Sequence, residues 1–170
     1  MLTGLTYNSQ LRPAHSGDRA PMRALLWEVA QEGESLPFTE VSLDMIDSHW
    51  LSATACYVSV APTGELDAMY RMGANMLGRG SHVATATFVV ARNARRRGFG
   101  RLMLEHCLTQ AQLAGYSAIQ FNYVVESNTA ALQLYQSKDF EIVGRLPGAF
   151  HHATLGQIDA LVLFRSLRDF

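Results

Sequence analysis

The stretch FVVARNARRRGFGRLML, residues 88–104, limits what this chain can fold into more than any other. A largely β-branched run, Phe88-Val89-Val90, gives way to an arginine cluster, then to Gly98 and Gly100, then to an apolar helical pattern. A strand that passes at once into a glycine-opened helix is an α/β sheet element, and it leaves bare backbone N–H groups at the helix start. Such amides form an anion nest, and glycines let a pyrophosphate approach the main chain. The formal net charge of −1 provides no general basic field. Even so, Arg92, Arg95, Arg96, Arg97 and Arg101 gather five of the 14 basic residues into one short segment. That is a local anion site, and it excludes a nucleic-acid partner as the expectation.

Several phosphate ligands use glycine loops, and the spacing separates them. Gly98-Phe99-Gly100 begins a dinucleotide fingerprint, but Met103 stands where the third glycine belongs, and no acidic residue follows at the next strand's end. A P-loop fails because no Gly-Lys-Ser/Thr follows. Arg95-x-x-Gly98-x-Gly100 is what remains. Alone, it reads equally well as a solvated basic turn. Downstream, FNYVVESNTAALQLYQSKDF places Asn128 at a helix start and Tyr135 seven residues later. That spacing puts both on one face, roughly 10 Å apart along the axis. Taken singly, they read as an N-cap and a core tyrosine. Together with the glycine loop they make a constellation.

The rest of the chain predicts one domain over residues 1–170. Hydrophobic residues are 48% and charged residues 17%, an ordinary globular balance. Cys56 and Cys107 are too few for a disulfide framework and have no metal-ligand spacing, so no metal is expected. MLTGLTYNSQ lacks the features of a signal peptide, and no apolar run has the length of a membrane span. A cytoplasmic protein without a membrane partner is the expectation. LTYNSQLRPA reads as a first strand ending near Pro13. SGDRAPMRALLWEVAQEG and SLDMIDSHWL read as helices, the second capped by Ser42. TACYVSVAPTGELDAMYRM is a hairpin, and HVATATFVVA is a strand covered on both faces. Gly98 to Ala114 is a helix with His106 on its solvated side. AIQFNYVVE, SNTAALQLYQSK, FEIVGRL and QIDALVLFRSL complete the order β-α-α-β-β-β-α-β-α-β-β. Trp27, Phe38 and Trp50 are expected in the core.

On the Arg95–Gly100 loop with Asn128 and Tyr135, the chain resembles the GNAT superfamily of acetyl-CoA-dependent N-acetyltransferases over nearly its whole length. The resemblance implies an α/β domain with a mixed, mostly antiparallel sheet of about six to seven strands and about four helices. It also implies that the sheet splays between the fourth and fifth strands. It implies that Arg95, Arg96, Arg97, Gly98, Phe99, Gly100 and Arg101 hold the coenzyme A pyrophosphate. Phe88, Val89 and Val90 would pair with the pantetheine, and Asn128 and Tyr135 would face the coenzyme. LYQSKDF departs from the family pattern, with Asp139 where a glycine usually stands. Asp tolerates the left-handed conformation better than most residues. SHVATATFVVA, FNYVVESN and LPGAFHHATLGQIDALVL are similar to the proline-analogue (azetidine-2-carboxylate) N-acetyltransferase branch, in which an asparagine at the position of Asn122 contributes to substrate handling. The implied acceptor is a small-molecule amine, such as an amino acid or an analogue.

Acetyl transfer needs an oxyanion holder and a proton for the leaving thiolate. Amides near Val89 and Val90 suit the first task and Tyr135 the second. No carboxylate lies on HVATATFVV, so Glu126, His82 and water stand as candidate bases. Asn122 orients an amine or water in one reading and satisfies a loop in the other. His151 and His152, adjacent on a strand, point to opposite faces and cannot chelate together. They line the acceptor site or are exposed. A noncatalytic acyl-CoA sensor and a protein or peptide acetyltransferase remain as alternative functions. The acceptor and the oligomeric state, homodimer included, stay open at this level.

Overall fold

The computed structural model describes residues 11–168. Apolar spacing explains the first helix, α1 (Arg19–Glu32), which buries Met22, Leu25, Leu26, Val29 and Ala30 on one stripe. It stops at Gly33, whose φ of 65° is the left-handed conformation that closes helices. α2 (Leu43–Met45) is capped by the Ser42 side chain, as expected, and runs on into a π-helical turn, Ile46–Leu51. Ile46 and Trp50 of that turn are buried.

The sheet contains β1 (Arg12–Pro13), β2 (Ala55–Val60), β3 (Leu66–Ala74), β4 (Val83–Val90), β5 (Ala118–Val125), β6 (Glu141–His152) and β7 (Gly156–Ser166). The expected first strand is thus short, and its residues 5–10 lie outside the described residues. α3 (Phe99–Leu113) links β4 to β5, and α4 (Thr129–Gln136) follows β5. The seven strands lie in the order β1-β2-β3-β4-β5-β7-β6, antiparallel except for β4 and β5. This parallel pair meets only at Val83–Ala118 and Ala84–Ile119. Beyond Ala84 the two strands separate, and among the described residues the upper half of β4 has no strand partner on that side. The sheet is splayed there.

Strand alternation assigns the faces. Tyr70, Phe88 and Phe121 turn toward α3 and α4: the Phe88 ring lies 5.6 Å from Tyr70 and 5.9 Å from Phe121. Residues between them, such as Arg71 and Thr87, turn toward α1 and α2. β5 does not alternate to its end. A register shift between Phe121 and Val124 leaves Val124 and Val125 both buried, so Tyr123 and Val125 do not continue the face of Ile119 and Phe121.

Two aromatic or polar positions differ from expectation. Trp27 is 50% exposed, on the outer side of α1, whereas Trp50 is core. His106 is not solvated. Its Nδ1 lies 2.7 Å from the hydroxyl of fully buried Tyr70, and the Tyr57 ring packs edge-on at 4.5 Å. Burial pushes the Tyr70 phenol up, so its hydroxyl stays protonated in this contact. Burial also lowers the His106 pKa. An unfolded histidine takes up its proton near pH 6.5, and the folded one resists until lower pH. In that window the unfolded chain binds more protons, so stability falls as pH drops below about 6.5, by at most about 1.4 kcal/mol per pH unit. Thermal midpoints from pH 7.5 to 5.5 should fall more steeply for the wild type than for His106→Gln. Parallel slopes would remove His106 from the pH dependence.

Candidate active site

Between separated β4 and β5 opens a cleft of about 710 Å³, and the sequence-derived residues converge on it. Phe88, Val89 and Val90 form one wall, and Arg95, Arg96, Gly98, Phe99 and Gly100 form the mouth. Asn128 and Tyr135 come from α4 on the far side. Alternate amides of the unpaired β4 edge face the gap, as they would face a neighbouring strand.

The mouth follows from local conformation. Arg96 (φ 61°) and Gly98 (φ 87°) are both left-handed, which turns the chain sharply into α3. No side chain caps α3, so its first-turn amides have no partner within the helix. This is a nest of N–H groups at the positive end of a 15-residue helix. Arg95 stands at the rim, paired with Glu32 of α1 at 2.8 and 2.9 Å.

Tyr135 is half-buried among rings, its own 4.6 Å from Phe121, 6.0 Å from Phe140 and 6.3 Å from Phe88. Its hydroxyl makes no hydrogen bond among the described residues. Burial raises its pKa, so the phenol keeps its proton at neutral pH. Asn128 does two things at once: it lines the cleft, and its Oδ1 caps α4 by accepting from the Ala131 amide at 3.3 Å. Asp139, after α4, has φ 61°, the conformation for which the family's usual glycine is suited.

Other sequence-derived candidates stand elsewhere. Arg97 turns away from the cleft toward Asp67, 3.5 Å away, and its guanidinium lies 5.3 Å from the Phe99 ring centre. Arg101 sits on the exposed side of α3 beside Glu105 at 4.0 Å. Asn122 projects on the opposite face from Phe121, where its Nδ2 donates to Asn75 Oδ1 at 2.6 Å and its Oδ1 accepts from Gln120 at 2.8 Å. Glu126 is bound to Arg145 at 2.9 Å and accepts from the Asp159 amide. His82 precedes β4, at the end of the strand remote from the loop.

Sequence reasoning missed Glu32, Glu34, Ser35 and Leu155, all of which line the cleft. The β6–β7 turn reaches across to α1, where the Ala153 amide donates to Gly33 O at 2.9 Å. His152, named in sequence without a side, is buried and faces the cleft, while His151 is exposed. His152 Nδ1 accepts from the amides of Thr154 and Leu155 at 3.1 and 3.2 Å. With Nδ1 accepting from these amides, Nε2 is the ring nitrogen that carries hydrogen.

Comparison with known proteins identifies the family. The model of the acetyltransferase (GNAT) family matches residues 20–140, which include the splayed strands, the glycine loop and both helices around the cleft. The chain belongs to that family. A GCN5-related N-acetyltransferase from Kribbella flavida is 35% identical, with a TM-score of 0.86 over 92% of this chain and 96% of that one. A phosphinothricin acetyltransferase from Sinorhizobium meliloti, solved in complex with acetyl-CoA, shares the fold at 14% identity. Its TM-score is 0.83 over 92% of this chain and 87% of that one. Protein SPT10 of Saccharomyces cerevisiae is 28% identical over 72 residues, which are 42% of this chain and only 11% of that protein. The fold and the family are those of N-acetyltransferases. Among the described residues no group of acidic, histidine or cysteine side chains could hold a metal, and no helix is long and apolar enough to cross a membrane.

Proposed function

We propose that this protein transfers the acetyl group of acetyl-CoA to the amine of a small molecule. The observation that carries the reading is the meeting, in one cleft, of an unpaired strand edge, a glycine-opened anion nest and a protonated tyrosine. Each part of acetyl-CoA has a counterpart there. The nest and the Arg95 and Arg96 rim suit its pyrophosphate, the free β4 edge suits the amides of pantetheine, and Asn128 and Tyr135 flank the path between. The coenzyme would supply an activated acyl group as a thioester.

The chain's own residues would then divide the work. Amides near Val89 and Val90 hold the developing oxyanion, fixed before reaction by the strand. Tyr135 gives its proton to sulfur as the carbon–sulfur bond breaks. Two carboxylates line the cleft, Glu32 at the Arg95 rim and Glu34 two residues on, and Glu34 favours an amine-bearing ligand by charge. Glu32 is already engaged by Arg95, which leaves Glu34 or water to take the amine's proton.

The test joins binding to turnover. Acetyl-CoA at a hundredfold excess over its dissociation constant should stabilise the fold by about 2.7 kcal/mol, with smaller shifts from NAD and ATP. A thiol-release screen over amino acids, polyamines, aminoglycosides and peptides should then give turnover with a small amine. Equal shifts from all three nucleotides would remove the coenzyme assignment. Binding without release would select an acyl-CoA sensor, and release with peptides alone a protein acetyltransferase.

A further inference from the structure

The mouth of the cleft is lined by two arginines in opposite circumstances. Arg96 has no carboxylate partner among the described residues, whereas Arg95 is tied to Glu32, the last residue of α1. That tie is end-on: a single nitrogen, Nη2, donates to Oε1 at 2.9 Å and to Oε2 at 2.8 Å. Each two-pronged edge of a guanidinium, Nε with Nη2 or Nη1 with Nη2, includes that nitrogen. While Glu32 holds it no edge is whole, so Arg95 cannot grip a phosphate through two parallel bonds. Helix stability does not explain the carboxylate. Glu32 stands at the negative end of the α1 dipole, where an acidic side chain is unfavourable. Its side chain is only 15% exposed, against 38% for Arg95, so it is the more desolvated of the two. A partly buried anion at the mouth of a cleft suited to a pyrophosphate works against that ligand.

We propose that Glu32 is an internal competitor of the coenzyme, holding Arg95 in the free protein and losing it to the pyrophosphate of acetyl-CoA; this rests on the N-acetyltransferase reading and names a control on its coenzyme site. Position carries the assignment. Glu32, Arg95, Gly98 and Gly100 line one cavity, and Arg95 lies three residues before Gly98. Two left-handed residues, Arg96 and Gly98, fold that short segment sharply. A pyrophosphate seated on the open amides of α3 is therefore within reach of the Arg95 side chain. There the guanidinium exchanges an end-on carboxylate for a ligand that takes a whole edge. A small anion that meets Arg95 alone must displace a partner already desolvated and in place. A ligand that fills the α3 nest as well brings the surplus needed for the exchange. The ion pair thus admits ligands that reach the amides and turns simple anions away. Glu32 stays at the rim after the exchange, so the amine's proton is still left to Glu34 or water.

The test is isothermal titration of acetyl-CoA into the wild type, Glu32→Gln, Arg95→Gln and the double variant. Glu32→Gln keeps the size of the side chain and removes its charge. It should tighten acetyl-CoA by about tenfold, the scale of one partly buried charge pair. Arg95→Gln should weaken binding, and adding Glu32→Gln to it should change affinity by less than about threefold, because the two residues act as a coupled pair. Tighter binding is a result that damage to the fold does not produce. If Glu32→Gln fails to fold, Glu32→Ala releases Arg95 as well and takes its place. Unchanged or weaker affinity in a folded Glu32 variant would overturn the proposal and leave Glu32 as a support that aims Arg95. A gain of the same size without Arg95 would overturn it too, as plain repulsion between charges. If acetyl-CoA binds none of the four proteins, the N-acetyltransferase reading falls. The pair is then judged with inorganic pyrophosphate alone: greater heat stabilisation of Glu32→Gln than of the wild type supports the competition, and an equal or smaller shift overturns it.

Discussion

Tyr135→Phe is expected to slow acetyl transfer by about a hundredfold or more, the usual scale for loss of a general acid, while acetyl-CoA affinity stays close to wild type. The substitution keeps the ring against Phe121, Phe140 and Phe88 and removes only the hydroxyl. That hydroxyl has no hydrogen-bond partner among the described residues, so stability should also hold. Its proton is secure at neutral pH, since burial moves the phenol up rather than down. A departing thiolate in the cleft would be the strongest base it meets. The defect should shrink with an acyl donor whose thiol is more acidic, because that leaving group needs less help. Single-turnover rates isolate the chemical step from product release. A wild-type single-turnover rate in Tyr135→Phe would reduce Tyr135 to packing, and a loss confined to coenzyme affinity would move it to binding.

The sequence carried the β4–α3 side of the cleft further than the side built by α1 and the β6–β7 turn, and the reason is physical. Backbone conformation is written in local residue types. A strand, two glycines and a helix in Phe88–Leu104 suffice to place a nest, and Asn128 with Tyr135 needs only helical spacing to share a face. The αL position at Asp139 was likewise readable from one departure in a pattern. The other side is assembled by tertiary contacts that leave no local mark. Glu32 and Glu34 end a helix and begin a loop in sequence, and only the Ala153–Gly33 bond brings the β6–β7 turn over them. His152 and His151 differ in burial because the turn's amides claim one ring, which alternation alone could not assign to a side of the cleft. His106 looked solvated because its helical neighbours are polar, but Tyr70 and Tyr57 rise from the sheet to meet it. The bulge in β5 shows the same limit, since it breaks a period of two that the residues themselves continue.

Gly100→Val should raise the dissociation constant for acetyl-CoA by about a hundredfold, whereas Gly100→Ala should leave it nearly unchanged. The contrast comes from the approach of α3 to α4. A Cβ on Gly100 would sit 3.4 Å from Leu134 Cδ2, an ordinary contact that alanine can make. The additional methyls of valine must turn either into Leu134 or into the mouth of the cleft, which Gly100 lines. Either choice moves the first turn of α3 or fills the space above its amides. Hydrogen bonds from such amides to a charged group are each worth about 1.5–3 kcal/mol, and losing the equivalent of one to two corresponds to roughly a hundredfold in affinity. Gly98→Ala provides an independent arm. Its Cβ would meet open space, so the left-handed φ of 87° is the whole obstacle, at roughly 1–2 kcal/mol of strain. That variant should lose stability even without ligand, and Gly100→Val should lose mainly binding. Isothermal titration on variants whose circular dichroism matches wild type separates the cases. Full affinity in a folded Gly100→Val would place the pyrophosphate away from the α3 terminus.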